Sequence, residues 1–123
     1  MEAKQGRKYD VVVVGAGIAG LTAALYLSRQ NLRTLVVSLD VGGQLMLAPE
    51  IQNYPGFKSI DGFSLAKRVE EQVRAFGAEL KFDEVVEIRE GDGGFWVKTS
   101  TGGEYWSEAL ILAFGKKPRE LGV

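Results

Sequence analysis

Residues 9–30 read YDVVVVGAGIAGLTAALYLSRQ, and this stretch decides the fold. Its first part, residues 11–14, is a run of β-branched side chains that is typical of a strand buried on both faces of a parallel sheet. Three glycines follow with G-x-G-x-x-G spacing, at Gly15, Gly17 and Gly20. Apolar residues then recur with helical spacing, at Ile18, Leu21 and Leu25. The stretch therefore predicts a buried strand, a glycine turn and an amphipathic helix.

Each of the three glycines has a physical role in binding a dinucleotide. Gly15 permits the tight turn out of the strand, Gly17 lets a pyrophosphate approach the backbone, and Gly20 lets the helix pack closely on the strand. Free N–H groups and the dipole at the start of the helix favour phosphate charge. The spacing alone fits a plain strand-to-helix turn equally well, but its position after a β-branched run favours dinucleotide binding. No Gly-Lys-[Ser/Thr] follows, which excludes a nucleoside-triphosphate P-loop.

The composition restricts the remaining chemistry. A chain of 123 residues with 46% hydrophobic and 25% charged residues is typical of one soluble globular domain or less. Its net charge of −1 gives no indication of nucleic acid or an anionic membrane as a partner. The absence of cysteine and histidine excludes disulfides, redox dithiols, imidazole catalysis and thiolate or imidazole metal sites within these residues. The basic N-terminus is a poor match to a signal peptide because Asp10 interrupts it, so we expect a cytoplasmic protein without a membrane segment.

The first half of the chain predicts a right-handed βαβ unit. The expected bounds are a flexible N-terminus over residues 1–8, strands over 10–14 and 33–38, and a helix over 18–30 that Asn31 ends. In this fold an acidic residue near the end of the second strand usually binds the ribose hydroxyls. Ser38 occupies that place and Asp40 lies two residues later. Either side chain is a candidate for the ribose, and Asp40 is equally interpretable as a solvated loop residue.

An irregular segment and a second helix follow. Residues 41–58 contain several glycines and prolines and form a connection about twice the usual length, which is typical of functional loops. A helix is predicted over residues 63–76, with Asp61 as its cap and Gly77 as its end. The i,i+4 pair of Glu70 and Arg74 is expected on its solvent-facing side.

The second half of the chain predicts mainly strands. An antiparallel meander of three consecutive strands is expected over residues 79–90, 95–100 and 104–107, with turns at 92–94 and 101–103. Residues 109–114 are predicted to form a separate, buried parallel strand that Gly115 ends. The predicted fold is therefore α/β and Rossmann-like, with a parallel sheet, helices and a three-stranded antiparallel meander.

This order of motifs resembles the two-dinucleotide-binding-domain flavoproteins, and within them the low-molecular-weight thioredoxin reductases, over residues 9–123. The segments that carry the resemblance are Gly42-Gly43-Gln44-Leu45, Asn53-Tyr54-Pro55-Gly56-Phe57 and Ile60-Asp61-Gly62. Residues 113–119, AFGKKPR, resemble the family's second fingerprint, Ala-Thr-Gly-Ala-x-Pro-Arg. Phe114 and Lys116 depart from that fingerprint, which usually has Thr and Ala at these positions.

The resemblance implies a binding site for FAD. The residues implied at the pyrophosphate are Gly15, Ala16, Gly17, Ile18, Ala19 and Gly20, with Ser38 and Asp40 beside the adenosine ribose. Those implied on the isoalloxazine side are Gly42, Gly43, Gln44, Leu45 and Asn53. The backbone at Glu84 and Val85 is implied to meet the adenine, while Ala113, Phe114 and Gly115 close over the cofactor.

The resemblance also bears on what the chain does. Family members continue past the position of Val123 with an NAD(P)H-binding domain that carries Cys-x-x-Cys, and then complete the FAD domain. Residues 9–123 are therefore expected to be the FAD-binding portion of an NAD(P)H-dependent reductase, incomplete at its C-terminus and inactive alone. One alternative is a stand-alone nucleotide- or FAD-binding module without catalysis. Another is part of a thioredoxin-reductase-like ferredoxin–NADP reductase.

An incomplete sheet predicts an association site. The apolar stretches over residues 11–14 and 109–114 would be left partly uncovered, and large exposed apolar patches favour association. We therefore expect self-association or binding of a completing chain, with a dinucleotide cofactor as the small-molecule partner.

Overall fold

The computed structural model describes residues 8–39, 50–52 and 55–113. Two helices and six strands lie in this part of the chain. In chain order they are β1 (Lys8–Val14), α1 (Ile18–Arg29), β2 (Thr34–Ser38), α2 (Gly62–Ala75), β3 (Glu79–Phe82), β4 (Val85–Gly91), β5 (Gly94–Thr99) and β6 (Glu104–Leu112). The predicted flexible N-terminus, except for Lys8, lies outside the described residues, as does most of the segment predicted to be irregular over residues 41–58.

The described strands form one sheet in the order β3-β2-β1-β6-β5-β4. Strands β3, β2, β1 and β6 run parallel to one another, whereas β4 and β5 continue the sheet in antiparallel fashion. Strand β6 joins the two parts because it pairs in parallel with β1 and antiparallel with β5. The four parallel strands therefore end at one side of the sheet, called here the carboxyl edge. In sheets of this kind ligands bind at that edge.

Helices and meander cover opposite faces of the parallel strands. On one face Val11 and Val13 pack with Leu21 of α1 and Leu65 of α2. On the other face Val12 and Val14 share a core with residues of the meander, Val85 and Val97 among them. All four valines of β1 are buried, which confirms the prediction of a strand covered on both faces. The expectation that residues 11–14 expose apolar surface is wrong, because the meander folds over the second face.

The helix ends agree with the local signals in the sequence. Asn31 follows α1 with a φ of 65°, and Gly77 follows α2 with a φ of 101°, both in the left-handed region that ends helices. The Asp61 carboxylate accepts a hydrogen bond from the Ser64 backbone N–H at 3.0 Å and caps α2 as predicted.

The predicted pair of Glu70 and Arg74 is present, with the Arg74 Nε 3.1 Å from a Glu70 carboxylate oxygen. Its expected position on a solvent-facing side is wrong, because Glu70 is buried. Lys67 also contacts the Glu70 carboxylate, at 3.2 Å, so this buried acid has two cationic partners.

The predicted long strand over residues 79–90 is wrong: the chain forms two strands there. Strand β3 pairs in parallel with β2, whereas β4 pairs antiparallel with β5. The chain leaves the parallel sheet at Asp83, whose carboxylate accepts a hydrogen bond from the next backbone N–H, that of Glu84, at 2.7 Å. This contact turns the chain toward the meander.

The last two predicted strands are wrong in the opposite way, because the chain forms a single strand there. Residues 104–107 and 109–112 belong to one continuous strand, β6, because β5 and β1 each pair with part of it. The predicted burial is wrong for Ala109, which is exposed, and for Leu112, which is 53% exposed; these two residues agree with the expectation that this stretch is partly uncovered. The antiparallel meander of β4, β5 and β6 is confirmed.

Candidate dinucleotide-binding site

The glycine turn lies at the carboxyl edge, directly after β1. Gly15 has a φ of 112°, which only glycine adopts easily, and its N–H donates to the Val37 carbonyl at 2.8 Å. A Cβ on Gly20 would lie 2.2 Å from the Gly15 carbonyl oxygen, so α1 packs directly on the turn. A Cβ on Gly17 would meet no heavy atom within 4 Å. The turn is therefore closed on the helix side and open at Gly17, a shape that fits a pyrophosphate against the backbone.

The first turn of α1 is suited to an anion. Gly17 is its N-cap residue and has no side chain to cap the helix, and the first turn contains no acidic residue. Its N–H groups consequently have no intrahelical acceptors and point toward the open side with the positive end of the helix dipole. Ala16 is buried in the core, Ile18 is half-buried and Ala19 is exposed. Ala16 can therefore offer a ligand only its backbone.

Three other strand ends lie beside the glycine turn. The Ser38 carbonyl, at the end of β2, accepts a hydrogen bond from the Asp83 N–H at 2.9 Å, which ties the ends of β2 and β3 together. On the other side of β1 the Ala113 N–H donates to the Val14 carbonyl at 2.8 Å. Along the carboxyl edge the order is thus the β3–β4 junction, Ser38, the glycine turn and Ala113.

Part of the predicted site lies outside the described residues. The residues concerned are Asp40, Gly42, Gly43, Gln44, Leu45, Asn53, Phe114 and Gly115. The predictions for the isoalloxazine side, and for Asp40 at the ribose, therefore stay predictions. Ser38 is described and half-buried at this edge.

Asp83 was not among the residues singled out from the sequence, although it organises the β3–β4 junction. Its side chain is buried, and it accepts hydrogen bonds from the hydroxyls of Thr101 and Ser100 and from the Glu84 N–H. These donors, with the Thr101 hydroxyl contributing most, lower the pKa of Asp83 to about 2. The only signals in the sequence were an acidic residue within the strand predicted over residues 79–90 and the hydroxyl-bearing Ser100 and Thr101 far along the chain.

The hydrogen bonds around Glu84 fix which backbone groups face outward. The Ser100 N–H donates to the Glu84 carbonyl at 2.8 Å, and Val85 lies opposite Thr99 in the β4–β5 pair. In this pattern Val85 and Thr99 form a non-hydrogen-bonded pair, so their own N–H and C=O groups point away from each other. Because β4 is the last strand of the described sheet, the Val85 N–H and C=O face its outer side. The outer side of β4 therefore presents one hydrogen-bond donor, the Val85 N–H, beside one acceptor, the Val85 C=O.

A shallow groove of about 630 Å³ lies elsewhere, against α2. Its lining includes Phe57, Asp61 and Arg68, but none of the residues at the carboxyl edge. The Arg68 guanidinium lies over the Phe57 ring at 5.4 Å, and the Asp61 carboxylate already caps α2. Within the described ranges no group of acidic side chains could hold a metal ion, and neither helix is long and apolar enough to cross a membrane.

Comparison with known proteins identifies the family. Residues 9–123 match the family model of the pyridine nucleotide-disulphide oxidoreductases. The chain is 44% identical over 117 residues to a thioredoxin reductase of Treponema pallidum, covering 94% of this chain and 38% of that protein. It is 40% identical over 116 residues to a thioredoxin reductase of Bacillus subtilis, covering 94% and 36%.

Solved structures agree with this result. The thioredoxin reductase from Streptococcus pyogenes superposes with a TM-score of 0.85 at 35% identity, covering 95% of this chain and 38% of that one. A thioredoxin reductase from Gloeobacter violaceus gives a TM-score of 0.88 at 30% identity, covering 98% and 38%. These matches confirm the predicted Rossmann-like α/β fold and the resemblance to thioredoxin reductases. The chain spans less than two fifths of the length of these relatives. With a family match over residues 9–123, it belongs to the pyridine nucleotide-disulphide oxidoreductase family.

Proposed function

We propose that this chain binds FAD and is the FAD-binding portion of an NAD(P)H-dependent flavoprotein oxidoreductase that resembles thioredoxin reductase. The observation that carries the proposal is the glycine turn, which is open at Gly17 and in backbone contact with Gly20 on its helix side. The uncapped start of α1 adds N–H donors and a favourable dipole at the same point. The names of the relatives support the assignment to a thioredoxin-reductase-like protein.

The order of the strand ends supports one direction for the ADP half. With a pyrophosphate on the glycine turn, we expect the adjoining ribose at the end of β2, beside Ser38. The adenine then extends past β2 to the β3–β4 junction, where the Val85 N–H and C=O face outward. Ala113 lies on the opposite side of the turn, toward the flavin half of the ligand.

The flavin half rests on residues that are proposed from the sequence resemblance, those of the Gly-Gly-Gln segment with Asn53, Phe114 and Gly115. Bound FAD supplies the redox chemistry by carrying electrons between a nicotinamide and an acceptor. The residues of this chain hold the ligand, compensate the pyrophosphate charge and exclude water from one face. Because the chain contains no cysteine, we expect no NADPH-driven reduction of a disulfide by these 123 residues alone.

Calorimetric titration with FAD, ADP and NAD tests the proposal. We expect FAD and ADP to bind with similar affinity, because most described contacts reach the ADP half, and NAD to bind more weakly. Tighter binding of NAD than of FAD would refute the assignment of FAD. NADPH-driven turnover of a disulfide by the purified chain would refute the expected lack of activity.

One structural observation favours a second candidate, a nucleotide-binding module that acts without catalysis. Strand β1 is buried on both faces by the described residues themselves, as in an autonomously folded unit. A monomeric protein that keeps stoichiometric FAD through gel filtration would favour this candidate. Reading the gene beyond the codon for Val123 separates the remaining alternatives. An open reading frame that continues and encodes Cys-x-x-Cys supports the thioredoxin-reductase-like enzyme. An open reading frame that continues without Cys-x-x-Cys supports a ferredoxin–NADP reductase of the same fold.

A further inference from the structure

Asp83 joins three segments of the chain at the carboxyl edge. Its N–H donates to the Ser38 carbonyl at 2.9 Å, at the end of β2. Its carboxylate accepts from the Glu84 N–H at 2.7 Å, at the start of the β3–β4 junction. It also accepts from the hydroxyls of Ser100, at 3.1 Å, and Thr101, in the turn between β5 and β6. One buried residue thus connects three segments: its N–H binds the end of β2, and its carboxylate binds the junction and the meander.

Backbone hydrogen bonds and the Asp83 carboxylate together hold the junction in this conformation. The peptide N–H of Glu84 is bound by Asp83, and the Glu84 carbonyl is bound by the Ser100 N–H at 2.8 Å. Both peptide groups that precede Val85 are therefore fixed by the same cluster. Since Glu84 is exposed, its side chain adds no packing that would hold the backbone in place. The Asp83 carboxylate is therefore one of the two groups, with the Ser100 N–H, that set the direction in which the Val85 N–H and C=O point.

These two groups match one edge of adenine. An N–H donor beside a C=O acceptor pairs with the adenine ring nitrogen N1, an acceptor, and with the 6-amino group, a donor. Hypoxanthine has the reverse pattern, with a protonated N1 and a 6-oxo acceptor. Backbone held in this orientation would therefore select adenine over hypoxanthine, because mismatched buried polar groups lose their hydrogen bonds.

We propose that Asp83 is a positioning residue for adenine recognition: its carboxylate orients the Glu84–Val85 backbone so that the Val85 N–H and C=O select the adenine base. The inference rests on the proposed function, since it requires a nucleotide bound along the carboxyl edge. It adds to the proposed function a selectivity for adenine and names Asp83 as the side chain responsible for that selectivity.

The test measures affinity for ADP, IDP and inorganic pyrophosphate by calorimetry. The wild-type chain is expected to prefer ADP over IDP by about tenfold or more, the amount that one or two matched hydrogen bonds contribute. Asp83→Ala removes the acceptor, so the ratio of the affinity for ADP to the affinity for IDP (the ADP-to-IDP ratio) should fall toward one. The affinity for pyrophosphate, which binds at the glycine turn, should stay the same. Asp83→Asn keeps one acceptor oxygen for the Glu84 N–H and should retain most of the ratio.

Controls separate positioning from folding. Asp92→Ala changes another acidic residue of a meander turn, one that accepts from the Trp96 indole N–H at 2.9 Å, and should leave the ADP-to-IDP ratio unchanged. If Asp83→Ala does not fold, Thr101→Val removes one exposed hydroxyl donor and should lower the ratio by a smaller factor. An unchanged ratio in folded Asp83→Ala, or an equal loss for pyrophosphate and ADP, would overturn the inference. Failure of the wild-type chain to bind ADP at all would instead refute the proposed function.

Discussion

Gly20 approaches the carbonyl oxygen of Gly15 so closely that a Cβ at Gly20 would lie 2.2 Å from it. Because the obstructing atom belongs to the backbone, Gly20→Ala must push α1 away from the glycine turn. We expect a loss of about 1–3 kcal/mol in the free energy of unfolding, as for other overpacked sites. Urea denaturation followed by circular dichroism measures this loss. Wild-type stability in Gly20→Ala would mean that the helix and the turn are not in contact.

Gly17→Ala is the complementary substitution, because it adds the same methyl group to open space. A Cβ there meets nothing within 4 Å, and the φ of −70° suits alanine. The free energy of unfolding should stay within about 1 kcal/mol of wild type, the difference between glycine and alanine at a helix N-cap. The methyl group occupies the space proposed for the pyrophosphate, so the affinity for ADP and FAD should fall by about tenfold or more. A folded Gly17→Ala chain that binds ADP as wild type does would remove the glycine turn from the proposed site.

The parts of the fold that the sequence predicted depend on local signals. The strand at residues 11–14, the glycine turn, the Asp61 cap and the helix end at Asn31 each follow from residues within one or two turns of chain. The predicted strand bounds that are wrong depend on hydrogen-bond partners far away in the sequence. The break at Asp83 requires hydroxyls at Ser100 and Thr101, 17 and 18 residues away, which no periodicity reveals.

The same reasoning applies to the candidate site. The roles of the glycines could be predicted because a missing Cβ and a positive φ are properties of the residue itself. The role of Asp83 could not be predicted, because Asp83 lies inside the strand predicted over residues 79–90 and no local signal marks a break there. The continuity of β6 was also missed, since Ser107 looks like the end of a strand but is fully buried between two strand partners.

The hydrogen bonds to Asp83 predict how stability changes in acid. Donation from Thr101, with smaller contributions from neighbouring donors, lowers the pKa of Asp83 to about 2, against about 3.9 in an unfolded chain. A lowered pKa in the folded state means that ionised Asp83 stabilises the fold above about pH 4. That contribution is lost as the pH falls from about 4 to about 2.

The difference in urea midpoint between wild type and Asp83→Asn should therefore be largest at neutral pH and shrink below about pH 4. Thr101→Val should raise the pKa of Asp83 and move the loss to higher pH, which carbon NMR of the carboxyl group reports directly. A midpoint difference independent of pH would show that the Asp83 carboxylate does not stabilise the fold through its charge.

The outer edge of β6 predicts association of this 123-residue chain. Strand β5 pairs with β6 only up to Ser107, so no described strand covers the edge of residues 108–112. That stretch contains the exposed Ala109 and Leu112 and a single charge, Glu108, whereas the outer strands β3 and β4 carry several exposed charged residues that oppose pairing. We expect concentration-dependent dimers in sedimentation velocity.

Leu112→Glu tests this edge. A second acid close to Glu108 sets like charges against a partner strand and should weaken dimerisation by about 1 kcal/mol, or about fivefold. Val86→Glu is the matched control, because Val86 is 52% exposed on β4, an edge already rich in charge, and Leu112 is 53% exposed. The control should dimerise as wild type does. Equal weakening in both variants would assign the association to general surface charge, and a wild-type chain that stays monomeric would show that the β6 edge is covered.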